Sequence, residues 1–320
     1  MNKILSITGP TASGKTALSI GLAAALSGEI ISCDSMQIYR GLTVGTAAPT
    51  EEEMNGIPHW GIGICDPAES FSAADWVTLA DRWISDIAGR GKLPVFCGGT
   101  GQYLDSLLYI GEFVENNRDD ALREELFRLA EKEGNAALHR LLQEIDPEAA
   151  AVIHPNNVKR VVRAIEIYKT TGRTKTETDR MQITPAKRYN EFRVILEFAD
   201  RQVLYDRIDL RVGLMLEAGI LDEARMLWEY AKEHPGTALG TAWQAIGYKE
   251  FFPYFDGLCS LEEAADQVRQ ASRNYAKRQL TWFRRSEGYR LTPDRPDGTV
   301  RSGTEMVEEV LEAASDWLKN

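Results

Sequence analysis

Cysteine and histidine are scarce in this 320-residue chain, four of each. Cys33, Cys65, Cys97 and Cys259 lie far apart with no paired spacing. That argues against a zinc site and against the disulfide framework of a secreted domain. No apolar run approaches the length needed to cross a bilayer, and Met1-Asn2-Lys3 leads straight into strand-like sequence. Neither a signal peptide nor a transmembrane segment is therefore expected, and the expected compartment is the cytoplasm. Basic side chains are in deficit: 37 Lys and Arg against 48 Asp and Glu give a net charge of −11, which disfavours indiscriminate binding to polyanions. Repeats and low-complexity tracts are missing too. Apolar residues make up 43% of the chain, enough for a large core in one domain with an insertion, or in two domains.

The segment Gly9-Pro10-Thr11-Ala12-Ser13-Gly14-Lys15-Thr16 follows the apolar run 4–7 and precedes a stretch, 17–26, with apolar residues at helical spacing and a stop at Gly28. Strand, glycine-rich loop and helix in that order form a P-loop for a diphosphate or triphosphate. Backbone N–H groups turn inward on phosphate oxygens, Lys15 adds a point positive charge, and the Thr16 hydroxyl is placed to bind Mg²⁺.

Short β-branched runs at 4–7, 29–33, 93–97 and 193–198 alternate with helical stretches, predicting an α/β fold: a P-loop NTPase-like parallel sheet flanked by helices. The first three runs end in polar loops, at Gly9-Pro10, Asp34-Ser35 and Gly98-Gly99-Thr100-Gly101. In such sheets ligands bind beyond the carboxyl ends of the strands, so these loops are expected to converge. Between 116 and 189 strands vanish and the sequence predicts helices at 119–132, 136–144, 147–153 and 157–170. The expected organisation is a core in two parts, 1–115 and 190–320, with an all-helical insertion domain at 116–189. Later helices are predicted at 204–217, 220–233 and 261–285. Asp34 is either the N-cap of a short helix or, beside a P-loop, a proton acceptor or a holder of Mg²⁺ through water. The glycines around Thr100 either make a plain strand-to-helix turn or allow close backbone approach to a ligand.

The basic residues cluster despite the acidic balance. One group runs from Lys159 to Arg188, including Arg160, Arg163, Arg173 and Arg180; the other includes Arg269, Arg273, Lys277, Arg278, Arg284 and Arg285. In the predicted helix at 157–170, Val158, Val161, Val162, Ile165 and Tyr168 share one face while Lys159, Arg160 and Arg163 point away from it. Two cationic stripes on an acidic chain point to a polyanionic partner.

At this point the chain resembles the tRNA dimethylallyltransferase (tRNA isopentenyltransferase) family nearly end to end. The resemblance rests on the P-loop, on Asp34-Ser35-Met36-Gln37-Ile38-Tyr39-Arg40-Gly41, on Gly98-Gly99-Thr100-Gly101, on Arg160-Val161-Val162-Arg163-Ala164-Ile165-Glu166, on Gln244-Ala245-Ile246-Gly247-Tyr248-Lys249 and on Tyr275-Ala276-Lys277-Arg278-Gln279-Leu280-Thr281-Trp282-Phe283-Arg284. It implies transfer of the dimethylallyl group from dimethylallyl diphosphate to the exocyclic N6 amine of the adenosine 3′ of the anticodon. By the same resemblance Asp34 is the base, Thr11 and Thr100 contact the diphosphate or the reacting geometry, and Arg211 adds charge to the diphosphate. The implied tRNA contacts are Asp34, Ser35, Met36 and Gln37, then Lys159, Arg160, Val161, Val162 and Arg163, then Gln244, Ala245, Ile246, Gly247, Tyr248 and Lys249. The stripe of Arg273, Lys277 and Arg278 is inferred to hold backbone phosphates of the anticodon stem-loop. A monomer is expected. Ala48, Trp60 and Gly213 depart from the usual family text. The alternatives are a P-loop small-molecule kinase, which would consume ATP, an adenine-nucleotide prenyltransferase, and a nucleotide-switched RNA-binding module without turnover.

Overall fold

The structure, a computed structural model, describes residues 1–109, 119–181, 187–235 and 240–319. The four predicted strands form as β1 (Lys3–Thr8), β2 (Gly28–Ser32), β4 (Leu93–Gly98) and β5 (Asn190–Leu196). Two more, β3 (His59–Trp60) and β6 (Tyr289–Leu291), are too short to show a period in the sequence. All pair in parallel in the order β3-β2-β4-β1-β5-β6. β1 thus lies between β4 and β5, and the P-loop leaves its carboxyl end at the point where the strand order reverses.

Both faces of the sheet are covered. Val95 packs with Leu18 and Leu22 of the helix Lys15–Ala25, while the next residue, Phe96, points the opposite way and meets Trp76 of the helix Ala73–Gly89, ring centroids 5.9 Å apart. A second apolar cluster joins Tyr39, Tyr248 and Phe251 to the helices Ile220–Glu233 and Leu261–Phe283. A third, of Leu204, Ile208 and Ala276, seats the helix Arg201–Glu217 against Leu261–Phe283. These last contacts aim Arg211, Tyr275 and Gln279 at the P-loop.

The chain folds as two compact units, one of Met1–Leu107 with Tyr189–Asn320 and one of Leu108–Arg188. The described elements of the second unit are the helices Asp120–Glu133, Asn135–Ile145, Pro147–Val152, Val158–Thr171 and Lys175–Met181, with Leu138, Leu142, Val161 and Ile165 fully buried among them. The expected boundary at residue 116 lies outside the described residues. Glu166, with no exposed surface, accepts from Arg123 at 2.8 Å and Arg163 at 2.7 Å. Burial alone would raise its carboxyl, but the two guanidinium bonds outweigh it and hold it low.

Near the start of β2, Glu29 is a buried carboxylate, its side chain 2% exposed, that accepts from Arg90, Lys92 and the Trp60 indole. The Arg90 bond is the largest of several that pull it down to about 2 from 4.5. A carboxyl held below its unfolded value adds stability that is full above about pH 4.5 and is lost as pH falls toward 2, here on the order of 3 kcal/mol. Glu29→Gln should therefore lower stability to denaturant at pH 7 by that order, with the gap to wild type closing near pH 2. A gap that persisted unchanged into acid would contradict this account.

Candidate active site

The P-loop turns through left-handed backbone at Ala12, φ 61°, and Gly14, φ 90°, bringing successive N–H groups toward the carboxyl end of β1. Lys15 folds back over the loop and donates to the Pro10 carbonyl at 2.6 Å. Burial lowers its ammonium to about 8 from 10.5, and the Arg211 guanidinium pushes the same way against Asp34. Two arginines one turn apart approach from the helix Arg201–Glu217. Arg207 donates to the Ala12 carbonyl at 2.9 Å, and Arg211 donates to the Thr11 hydroxyl at 3.1 Å. Burial lowers the Arg211 guanidinium as well. Cations held at such a cost to themselves favour the arrival of an anion.

Gln279 ties this loop to the next. Its Oε1 accepts from the Thr11 N–H at 2.8 Å and its Nε2 donates to the Gly99 carbonyl at 3.0 Å, so the two partners fix which end of the amide is which. A Cβ on Gly99 would lie 2.0 Å from that Nε2, so only glycine admits the approach. Thr100, next in line, donates its N–H to the Cys33 carbonyl, and its hydroxyl accepts from the Ser35 N–H at 3.1 Å. Asp34 sits between them at the end of β2. Its Oδ1 accepts from the Met36 N–H at 2.9 Å, an Asx turn, and no helix follows, so the N-cap alternative does not hold. Burial, then the Asp34 charge, raises the Tyr275 phenol. Thr11, Lys15, Thr16, Asp34, Arg211 and Tyr275 line one cavity of about 320 Å³, within the range of small-ligand sites.

Gln37, which also lines the cavity, holds the neighbouring loop. It accepts from the Ser32 hydroxyl and donates to the Ala47 carbonyl at 3.1 Å. Glu223 grips the same loop from the other side, accepting from the N–H groups of Thr43, Val44 and Gly45 and from the Tyr248 hydroxyl. His59 borders the cavity with Nδ1 bonded to the Ile57 carbonyl and a buried Nε2 that has no protein partner among the described residues. The departing Trp60 is a structural anchor for Glu29 rather than part of the site.

Several residues expected at the tRNA surface are placed otherwise. Val161 and Val162 are buried in the core of the helical unit, and Ala245 and Tyr248 in that of the first, because each stands on the apolar face of its segment. Gly247 is buried as well, its N–H given to Glu250 at 2.9 Å. Val161, Val162 and Tyr248 turn their side chains into these cores, whereas Ala245 and Gly247, though buried, line the cavity. Arg163 is held by Glu166, and Arg273 makes a two-oxygen pair with Asp209 at 2.6 Å. Lys159, Arg160 and Gln244 are exposed, as are Lys277 and Arg278; Ser35, Met36, Ile246 and Lys249 are half-buried at the cavity rim. Arg207 and Glu223 lie outside the motifs, and Tyr275 and Gln279 stand in a family segment that assigns them no role at the site. Arg207 was detectable from its four-residue spacing to Arg211, and Gln279 as a polar residue on an apolar helix face; Glu223 carried no signal.

The chain matches two family profiles, "IPP transferase" over residues 37–286 and "Isopentenyl transferase" over residues 2–60. It is 51% identical over 281 residues to a tRNA dimethylallyltransferase of an Exiguobacterium species, covering 88% of this chain and 87% of the relative. With the tRNA dimethylallyltransferase of Bacillus subtilis it shares 49% over 284 residues, at the same coverage. Among solved structures it is similar to a tRNA isopentenylpyrophosphate transferase from Staphylococcus epidermidis, with a TM-score of 0.70, 40% identity and 99% of both chains covered. It is also similar to a eukaryotic dimethylallyltransferase acting on tRNA, with a TM-score of 0.85 and 30% identity over 100% of this chain and 80% of that one.

Proposed function

The chain belongs to the IPP transferase family and is a tRNA-modifying prenyltransferase, and from that premise we propose how its residues carry out the transfer. The donor is dimethylallyl diphosphate and the acceptor the N6 amine of the adenosine 3′ to the anticodon. The observation that carries this assignment is the facing of Asp34 toward Lys15 and Arg211 across one cavity. Phosphate oxygens lie in the cradle from Gly9 to Thr16, against the N–H groups that follow Thr11, with Lys15, Arg211 and Arg207 around them. The allylic C1–O bond breaks with its electron pair leaving on the diphosphate, where these cations stabilise the charge as it develops. The N6–C1 bond forms, and the proton lost by N6 passes to the Asp34 carboxylate. That amine is a weak nucleophile because its lone pair is delocalised into the purine, so proton removal has to accompany bond formation. Thr100 keeps the Asp34 turn in place through the Ser35 N–H.

Thr16, at the head of the P-loop helix, would hold Mg²⁺ together with phosphate oxygens. Among the described residues no group of three or more His, Cys, Asp or Glu could cage a metal, which fits an ion bound mainly through substrate phosphates and water. When bound, that ion neutralises charge on the leaving group.

Asp34 meets a base only if the nucleotide leaves the loop stack and enters the cavity. Exposed Lys159 and Arg160 of the helical unit, with Gln244, Lys249, Lys277 and Arg278 of the first, are the cationic and polar side chains we assign to the anticodon stem-loop. No described helix is long and apolar enough to cross a membrane. We assign the protein's work to a monomer in the cytoplasm. Incubation with dimethylallyl diphosphate, Mg²⁺ and unmodified tRNA, followed by nucleoside mass analysis, tests the reaction. A five-carbon gain on adenosine with release of diphosphate is the expected result; phosphoryl transfer from ATP, or an unchanged adenosine, would overturn it.

A further inference from the structure

The long helix Leu261–Phe283 does not present its cations evenly. At its amino end Arg269 pairs with Glu262 and Asp266, and in its middle Arg273 pairs with Asp209. Beyond that point the pattern changes. Among the described residues Arg278, Arg284 and Arg285 make no ion pair, and all three are exposed. Arg278 borders the cavity, its guanidinium 5.5 Å above the Tyr275 ring. One turn further, about 6 Å along the axis, stands Trp282.

Trp282 is 44% exposed, yet it is held in place. Its Nε1 donates to Asp105 Oδ2 at 2.9 Å, and the same carboxylate accepts from the buried Arg193 at 3.1 Å. The ring lies so close over Gly101 that a Cβ there would stand 2.3 Å from the indole nitrogen. Gly101 directly follows Thr100 of the site. A large aromatic ring is thus anchored at one edge, seated on bare backbone, and open to solvent on the helix face that also carries Arg285 and the cavity-lining Arg278. Packing alone would be better served by a ring turned inward.

We propose that Trp282 is a stacking platform for the unpaired base next to the reacting adenosine, with Arg278 and Arg285 meeting the flanking phosphates. The inference rests on the reading of this cavity as the site of tRNA prenylation. A base drawn out of a loop stack loses the neighbours it had, and so does the base beside it. A fixed indole face replaces that lost contact for any of the four bases, since each has a π face, while the arginines add charge without reading sequence. The platform therefore favours the opened loop over the stacked one.

The test uses the full chain, an unmodified anticodon stem-loop, and the same RNA made abasic at the position on either side of the target adenosine. Trp282→Ala should weaken binding of the intact RNA by roughly 5- to 100-fold, Trp282→Phe should keep most of the affinity, and inorganic pyrophosphate should bind all three proteins alike. One of the two abasic RNAs should bind wild type about as poorly as intact RNA binds Trp282→Ala, and combining the two changes should add little further loss. Losses that simply multiply would overturn the platform, as would equal affinity of wild type for intact and both abasic RNAs, and the latter comparison stands even if Trp282→Ala fails to fold. Wild type that prenylates the stem-loop with no change in tRNA KM for Trp282→Ala would refute the platform alone. Wild type that does not prenylate it would refute the underlying function.

Discussion

Asp34→Asn should slow prenyl transfer by roughly 10²- to 10⁴-fold, the usual worth of a positioned general base, while diphosphate and tRNA bind within a few-fold of wild type. The separation between chemistry and binding follows from the local geometry. Asparagine keeps the Oδ1 that accepts from the Met36 N–H, so the Asx turn survives the change. The hydroxyl of Thr100 still takes the Ser35 N–H, and the Cys33 carbonyl still takes that of Thr100. What disappears is the capacity to receive a proton. Single-turnover rates with saturating tRNA, alongside equilibrium binding, make the measurement. A variant within tenfold of wild-type rate would remove Asp34 from the role of base.

The second large effect has two opposite signs. Lys15→Met should cut kcat/KM by about 10²- to 10³-fold, because one fixed charge on the departing diphosphate is gone. The same substitution should make the unliganded protein more stable. Burial holds the Lys15 ammonium at about 8 against 10.5, so the folded state resists the proton that the unfolded chain binds. The sign is that of a lowered base: the penalty is full below pH 8 and fades as pH rises through 10.5. At pH 7 its removal is worth up to about 3 kcal/mol, less the bond to the Pro10 carbonyl, which methionine cannot make. Denaturant unfolding at pH 7 without ligand checks the gain, and steady-state kinetics the loss. A variant both inactive and less stable would contradict the view that this cation is strained until phosphate arrives.

The contiguous parts of the site were legible in the sequence because their geometry is local. A phosphate loop needs its glycines, lysine and threonine at fixed offsets between a strand and a helix, and an aspartate at the next strand end lies near it in any parallel sheet. The four longer strands declared themselves by β-branched content, whereas His59–Trp60 and Tyr289–Leu291 exist only because a neighbouring strand offers them an edge. Arg207, Glu223 and Gln279 act across 195, about 180 and 268 residues of chain, and no periodicity reports a partner at that distance. The valines of the basic helix show the reverse error. A motif identifies a segment, but only the packed core says which of its side chains face out: Val161 and Val162 turn inward while Lys159 and Arg160 remain on the surface.

The amide of Gln279 has a consequence for the reaction coordinate. One end fixes the loop that will carry the leaving group, the other fixes the turn on which the proton acceptor's neighbours rest. Beyond the last rungs of the β1–β4 and β2–β4 ladders, the spacing of the two loops is therefore gauged by one side chain acting as a ruler. Glutamate, of nearly the same length, would present oxygen to the Gly99 carbonyl and force the two walls apart, so even the closest replacement at this position changes the stride of the transfer.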